Sequence, residues 1–502
     1  MIGVIGLGNM GGRIARRIVD AGEDVIGHDA DPARAQAVGV EAADSPAAVA
    51  TSADPILLSL PDSRVVEAVI DALHDATRPG QVIVDLSTAA PSSTRAIHER
   101  LAARDVAYVD AGISGGAAAA EKGTLTIMAG GDPGALDRVR PILGHFAQHV
   151  HHMGPSGSGH VAKLINNFLN GVSLAATAEA MVAARKAGLD LRQLLDVLNT
   201  SSGVNFATLN RFPRIVEGDY LEGGLTSNLM AKDLMLYLDL ARELEMTSIE
   251  GPACLAAFHL AAALGYGDQI SNRVVEAVID ALHDATRPGQ VVVDLSTAAP
   301  SSTRAIHERL AARDVAYVDA GISGGAAAAE KGTLTIMAGG DAAALDRVRP
   351  VLAHFAQHVH HMGPSGSGHV AKLINNFLNG VSLAATAEAM VAARKAGLDL
   401  RQLLDVLNTS SGVNFATLNR FPRIVEGDYL EGGLTSNLMA KDLMLYLDLA
   451  RELEMTSIEG PPCLAAFHLA AALGYGDEIS NRVVDALGDI AGGVRINDQE
   501  AI

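Results

Sequence analysis

Lys163, Asn167 and Asn170 stand at i, i+4 and i+7, so an ammonium and two amides share one face of a helix. An ammonium in that setting can give a proton to a carbonyl oxygen, and as a neutral amine it can take one from a hydroxyl. A lone lysine near a helix start is ordinarily a solvated charge. Two features raise this one above that reading. A glycine-rich turn stands upstream, and the whole stretch 157–171 recurs as 366–380, with Lys372 and Asn376 in the same places.

The upstream turn is Gly6, Leu7, Gly8, Asn9, Met10 and Gly11, set between an apolar run at 2–5 and an amphipathic pattern carried by Ile14, Ala15, Ile18 and Val19. Gly6 permits the tight turn, Gly8 lets backbone approach a pyrophosphate, and Gly11 lets helix and strand pack closely. The free N–H groups of the helix start then face the phosphates. A second strand at 24–28 ends on Asp29, where a carboxylate accepts hydrogen bonds from an adenosine ribose. Ala30, not arginine, follows it. A carboxylate repels a 2′-phosphate, so NAD is expected in preference to NADP; Arg34 lies about a helical turn away.

The elements that must position these groups follow at βαβ spacing. Aliphatic runs at 55–60, 81–86 and 106–110 read as further strands of a parallel sheet, and 124–129 and 149–153 extend it. Ligands bind beyond the C-terminal ends of such strands. The segments found there are Leu60-Pro61, Ser87-Thr88 and Ser114-Gly115-Gly116; the last offers a hydroxyl and close backbone N–H groups to a carboxylate. Ser158 is expected to cap a helix running to Ala187, with Arg185 and Lys186 in its last turn and Gly188 as the stop. From there to about residue 270 the pattern is helical. Lys232, beside Asp233, reads by spacing as a surface charge.

Together these residues resemble the β-hydroxyacid dehydrogenase family, over residues 1 to about 272. The resemblance rests on five motifs in order: the turn at 6–11, Leu60-Pro61, residues 85–88, residues 110–116 with 123–128, and 157–159 with Lys163 and Asn167. It implies a Rossmann-type domain joined by one long helix to an all-helical domain that builds dimers. It also implies that Lys163 is the catalytic lysine and Asn167 orients substrate. By the same likeness Ser114, Gly115 and Gly116 hold its carboxylate, while Leu60, Pro61, Thr88 and Lys232 join the glycine-rich turn and Asp29 in contacting the cofactor. Two positions depart from the family pattern: Val65, where some members have asparagine, and Gly112, where proline is usual. The implied reaction interconverts a small 3-hydroxy acid and its semialdehyde by hydride transfer. 3-Hydroxyisobutyrate ranks first and tartronate semialdehyde second; a non-catalytic NAD-binding, self-associating protein is the alternative of another class.

Residues 64–272 return as 273–481, shifted by 209 positions with seven differences, whereas nothing before Arg64 is repeated. The repeat therefore copies Thr88, Ser114, Lys163 and Lys232 as Thr297, Ser323, Lys372 and Lys441, without a second glycine-rich turn. The expected fold is an α/β Rossmann-type dinucleotide-binding domain (1–158) plus an all-α domain (159–272). A truncated copy of the first follows at 273–367 and a copy of the second at 368–502. Residues 273–285 are claimed by both copies. The second copy could be inert, could replace a dimer partner as an internal pseudo-dimer, or could complete a site with another chain.

The 502 residues carry 58 acidic against 38 basic side chains, a net charge of −20, which argues against nucleic acid and anionic membranes as partners. The two cysteines, Cys254 and Cys463, are copies of one another and can build neither a disulfide framework nor a metal cluster. His149, His151 and His152 lack acidic or cysteine companions at ligand spacing, so no metal is expected. No basic leader precedes the first strand, and a cytoplasmic protein is expected.

Overall fold

The computed structural model describes residues 1–217, 219, 227–254, 287–431 and 433–497. The aliphatic runs form the strands β1 (Ile2–Ile5), β2 (Val25–His28), β3 (Glu41–Ala42), β4 (Ile56–Leu58), β5 (Val82–Asp85), β6 (Ala107–Ser114), β7 (Leu125–Gly130) and β8 (Ala147–Gly154). They join in one sheet in the order β3-β2-β1-β4-β5-β6-β7-β8. The sheet is buried on both faces, which is why its central strands are continuous apolar runs rather than alternating ones.

One pairing departs from the parallel expectation. β7 runs antiparallel to β6, and β8 then runs parallel to β7. The connection from β6 to β7, residues 115–124, is shorter than the dozen or so residues that a parallel crossover requires. β3, two exposed residues at the sheet edge, is too short to leave a pattern in the sequence.

The glycine-rich turn opens α1 (Gly11–Asp20). The long helix is α2 (Ser158–Lys186). Ser158, expected from sequence to cap it, is instead its first residue; the carboxylate of Asp110, at the centre of β6, accepts from Gly157 N at 2.8 Å and His160 N at 2.9 Å. Neutralising free helix N–H groups with a buried acid fixes the helix start against the sheet. Gly159 makes that contact close: a Cβ there would lie 2.4 Å from Met128 O and 2.5 Å from Asp110 O. Beyond α2 come α3 (Leu191–Asn199) and α4 (Ser227–Glu243).

The repeat builds a separate four-stranded sheet from β9 (Val291–Asp294), β10 (Ala316–Ser323), β11 (Leu334–Gly339) and β12 (Ala356–Gly363), in the order β12-β11-β10-β9. β9 corresponds to the fully buried β5, yet all four of its residues are half-exposed; it keeps β10 on one side, but the strand that would pair with its other edge, the counterpart of β4, belongs to the unrepeated residues. Helices α5 (Ser367–Lys395), α6 (Leu400–Asn408) and α7 (Ser436–Glu452) repeat α2, α3 and α4. The shared claim on residues 273–285 lies outside the described residues.

Compactness does not follow chain order. One unit comprises Met1–Leu169, Glu222–Thr247 and Ala392–Val413; the other comprises Asn170–Leu221, Ser248–Val391 and Asn414–Ile502. Each sheet is thus accompanied by a segment from the other copy.

Candidate active site

In the first unit the head of α2 carries Lys163 onto the C-terminal half of β6. Gly112 leaves the room: a Cβ at that position would sit 2.5 Å from the Cβ of Lys163. The departure from the family pattern at 112 therefore lies directly against the lysine. Lys163 is 7% exposed, and its Nζ donates to Asn167 Oδ1 at 2.8 Å. Burial drives its pKa down to about 8; Asp233 opposes the shift and Lys232 adds to it.

Asn167 Nδ2 donates to the buried carboxylate of Asp233, on α4. Asp233 Oδ1 lies 2.8 Å from Lys232 Nζ, and that ammonium donates to the carbonyl of Thr88 at 3.1 Å. Lys232 thus pairs with Asp233, as its spacing suggested, but it is half-buried and spans α4 and the β5 loop where a surface charge was expected. The loop at Leu60 is tied in as well, because Leu60 N donates to Ser87 Oγ at 3.0 Å. Pro61 follows it, and Asp62 caps the next helix through Val65 N at 3.0 Å.

Ser114, Gly115 and Gly116 stand at the end of β6, with both glycines at positive φ (125° and 70°). Asn166, adjacent to Asn167 and not singled out from sequence, is the hub that joins this cradle to the lysine. Its Nδ2 reaches Asn167 Oδ1 at 3.1 Å, Ser114 Oγ at 3.5 Å and Ser411 Oγ at 3.1 Å, and its Oδ1 accepts from Gly412 N at 2.8 Å. Ser411 and Gly412 belong to the repeat. Asn170 is not drawn into this cluster; its Oδ1 accepts from Arg211.

The dinucleotide turn fits its expected ligand. A Cβ at Gly11 would lie 1.9 Å from Gly6 O, so the turn closes only on glycine, whereas a Cβ at Gly8 would meet nothing nearer than the end of the Arg34 side chain at 3.1 Å. Backbone at Gly8 is therefore open to a phosphate. Asn9 and Met10 complete the turn into α1. Asp29 accepts from Leu7 N at 2.7 Å and from Asp31 N at 2.9 Å, which holds the carboxylate at the tip of β2 beside the turn.

Comparison with known proteins identifies the family. The family described as the NAD binding domain of 6-phosphogluconate dehydrogenase matches residues 1–154 and 269–363. That described as NAD-binding of NADP-dependent 3-hydroxyisobutyrate dehydrogenase matches 157–278 and 366–487. An NAD-dependent L-serine dehydrogenase of Pseudomonas aeruginosa is 36% identical over 56% of this chain and 97% of its own. The chain belongs to the β-hydroxyacid dehydrogenase family. A 3-hydroxyisobutyrate dehydrogenase of Mycobacterium tuberculosis, solved with L-serine, is 32% identical with a TM-score of 0.50, covering 52% of this chain and 93% of that one. The 6-phosphogluconate dehydrogenase of Plasmodium falciparum is 14% identical and covers 93% of this chain and 92% of its own at a TM-score of 0.60, a likeness of fold alone. As a β-hydroxyacid dehydrogenase the chain is an NAD(P)-dependent enzyme acting on CH–OH groups, with a truncated tandem copy of the family's unit. No helix among the described residues is long and apolar enough to cross a membrane.

The origin of Ser411 yields a direct test. The tetrapeptide Thr-Ser-Ser-Gly occurs at 200–203 and at 409–412, and only the second meets Lys163's neighbours. Ser411→Ala is expected to lower kcat/KM for the hydroxy acid about fivefold, the loss of one hydrogen bond. Ser202→Ala is expected to leave it unchanged. The reverse order, in steady-state rates, would assign the loop to its own copy.

Proposed function

We propose that this enzyme interconverts a small 3-hydroxy acid and its semialdehyde, with NAD preferred to NADP and Lys163 moving the hydroxyl proton. The observation that carries the reading is Lys163 itself: buried, hydrogen-bonded to Asn167 at 2.8 Å, and brought to about 8, where both protonation states are within reach. NAD, when bound, supplies or accepts the hydride.

In oxidation the neutral amine of Lys163 takes the proton of the substrate hydroxyl, which lets that oxygen become the carbonyl oxygen of the semialdehyde. In reduction the ammonium returns that proton to the carbonyl oxygen, and its charge stabilises the developing alkoxide in a dry site. Ser114, Gly115 and Gly116 hold the carboxylate. Asn167 fixes the lysine, and Asp233 fixes Asn167. Lys232 secures the Thr88 loop, which with Leu60 and Pro61 lines the nicotinamide side. Gly6 to Gly11 would hold the pyrophosphate and Asp29 the adenosine ribose.

3-Hydroxyisobutyrate ranks first and tartronate semialdehyde (2-hydroxy-3-oxopropionate) second. Initial rates with a panel of small 3-hydroxy acids and both cofactors test the assignment; absence of turnover across the panel contradicts it. We place the enzyme in the cytoplasm.

We read segments 1–158, 159–272, 273–367 and 368–502 as the four modules by descent, and the two helical modules as an internal pseudo-dimer. Reciprocal contacts support this within the second unit. Glu179 of the first copy accepts from Ile458 N at 2.8 Å and Glu459 N at 3.0 Å, and Glu388 of the repeat accepts from Ile249 N at 2.8 Å and Glu250 N at 2.9 Å. A covalent link gives the halves an effective concentration on the order of millimolar. Light scattering at low micromolar concentration is expected to show a stable single chain; only higher oligomers, with unfolding on dilution, would contradict it.

A further inference from the structure

The repeat reproduces the hydroxy-acid half of the site and omits the dinucleotide half. Lys372 Nζ donates to Asn376 Oδ1 at 2.6 Å, and Asn376 Nδ2 donates to Asp442. Asn375 Nδ2 reaches Asn376 Oδ1 at 3.2 Å, Ser323 Oγ at 3.5 Å and Ser202 Oγ at 3.1 Å, and Asn375 Oδ1 accepts from Gly203 N at 2.9 Å. The exchange is therefore reciprocal, since Ser202 and Gly203 come from the first copy. Lys441 reaches the Thr297 carbonyl at 3.3 Å, as Lys232 reaches that of Thr88. None of the seven differences between the copies falls on these residues.

The dinucleotide side has no counterpart. The glycine-rich turn is not repeated, and no acid equivalent to Asp29 exists in the copy. β9 is a half-exposed edge, and Ser296, which corresponds to the buried Ser87, is exposed.

We infer that the Lys372 cluster is a second binding site, for a short hydroxy-carboxylate, that holds the acid without oxidising it. The inference rests on the function proposed above for the Lys163 site. Lys372 is 8% exposed, and among the described residues its Nζ makes one hydrogen bond, to Asn376. An ammonium has three donors, so two are left to a ligand's oxygens. A buried cation with donors to spare favours a small anion that carries both charge and acceptors. The Ser323 hydroxyl, joined to the lysine through Asn375, meets the other end of such a molecule. Burial lowers Lys372 to about 8, so the cation persists at neutral pH. The copy has neither a glycine-rich turn nor a counterpart of Asp29 to hold a hydride acceptor, so an acid bound there stays unchanged.

The test is calorimetric titration of the full chain, saturated with NADH, by 3-hydroxyisobutyrate. Reduced cofactor and reduced acid exchange no hydride, so the heat reports binding alone. Two equivalents of acid per chain are expected. Lys372→Met, close in volume and free of buried charge, is expected to remove one equivalent while turnover stays within about twofold. Ser323→Ala is expected to weaken the same equivalent about fivefold, one hydrogen bond's worth. Fewer than two equivalents in the unmodified chain, or two in Lys372→Met, overturns the inference. Turnover that survives Lys163→Met would instead overturn the function on which it rests.

Discussion

Lys163→Met is expected to reduce turnover about a thousandfold, in the range of a lost general acid–base, whereas Lys372→Met leaves it nearly intact. The two lysines have the same neighbours, the same burial and the same lowered pKa of about 8. What separates them is the company of a dinucleotide turn. Residues 1–63 adjoin the first copy directly, and β4, which carries Leu60 and Pro61 at its end, pairs with β5 in the same sheet as β6. Among the described residues the repeat's sheet ends at β9. One NAD per chain is accordingly expected by calorimetry. A lethal Lys372→Met would mean that the second lysine is the one served by a turn, and two NAD per chain would mean a second dinucleotide site that lacks the glycine-rich motif.

The second large effect concerns the cofactor. Asp29 stands at the tip of β2, its carboxylate held by Leu7 N and Asp31 N, where a 2′-phosphate would bring like charges together. Such a juxtaposition costs several kcal/mol, so NAD is expected to exceed NADP in kcat/KM by about a hundredfold. Arg34 Nη1 lies 3.6 Å from Asp29 Oδ2. Asp29→Ala removes the repulsion and releases that guanidinium toward the phosphate, so the ratio is expected to fall toward parity. Equal values in the unmodified enzyme would contradict the assignment.

Much of this arrangement was legible in the residues. The turn at 6–11 and Asp29 announce themselves because only glycine and a carboxylate meet those local demands. The strands of the first sheet follow from aliphatic runs at βαβ spacing. Long-range pairings were not legible. Asp110 caps a helix 47 residues downstream, and no local pattern records that. The reversal at β7 was available in principle from the short connection at 115–124, yet an aliphatic run alone does not state its direction. Asn166 stands beside Asn167 but off the i, i+4, i+7 face that runs through 163, 167 and 170, so spacing does not single it out. Ser411 is the harder case. Its tetrapeptide is identical in both copies, so nothing in the sequence tells which loop reaches which lysine; only packing separates them. Burial also explains Lys232, whose spacing suits a solvated charge but whose ammonium is tied to Asp233 and the Thr88 carbonyl.

The pH dependence of kcat/KM, taken in both directions with the hydroxy acid and with its semialdehyde, tests Lys163 most directly. Oxidation needs the neutral amine. It is expected to rise about tenfold per pH unit below about 8 and to level off above. Reduction needs the ammonium, so it is expected to be level below about 8 and to fall above it. Opposed limbs meeting near that value support a lysine that hands one proton back and forth. Profiles that run in the same direction, or stay flat from pH 7 to 9, would contradict it.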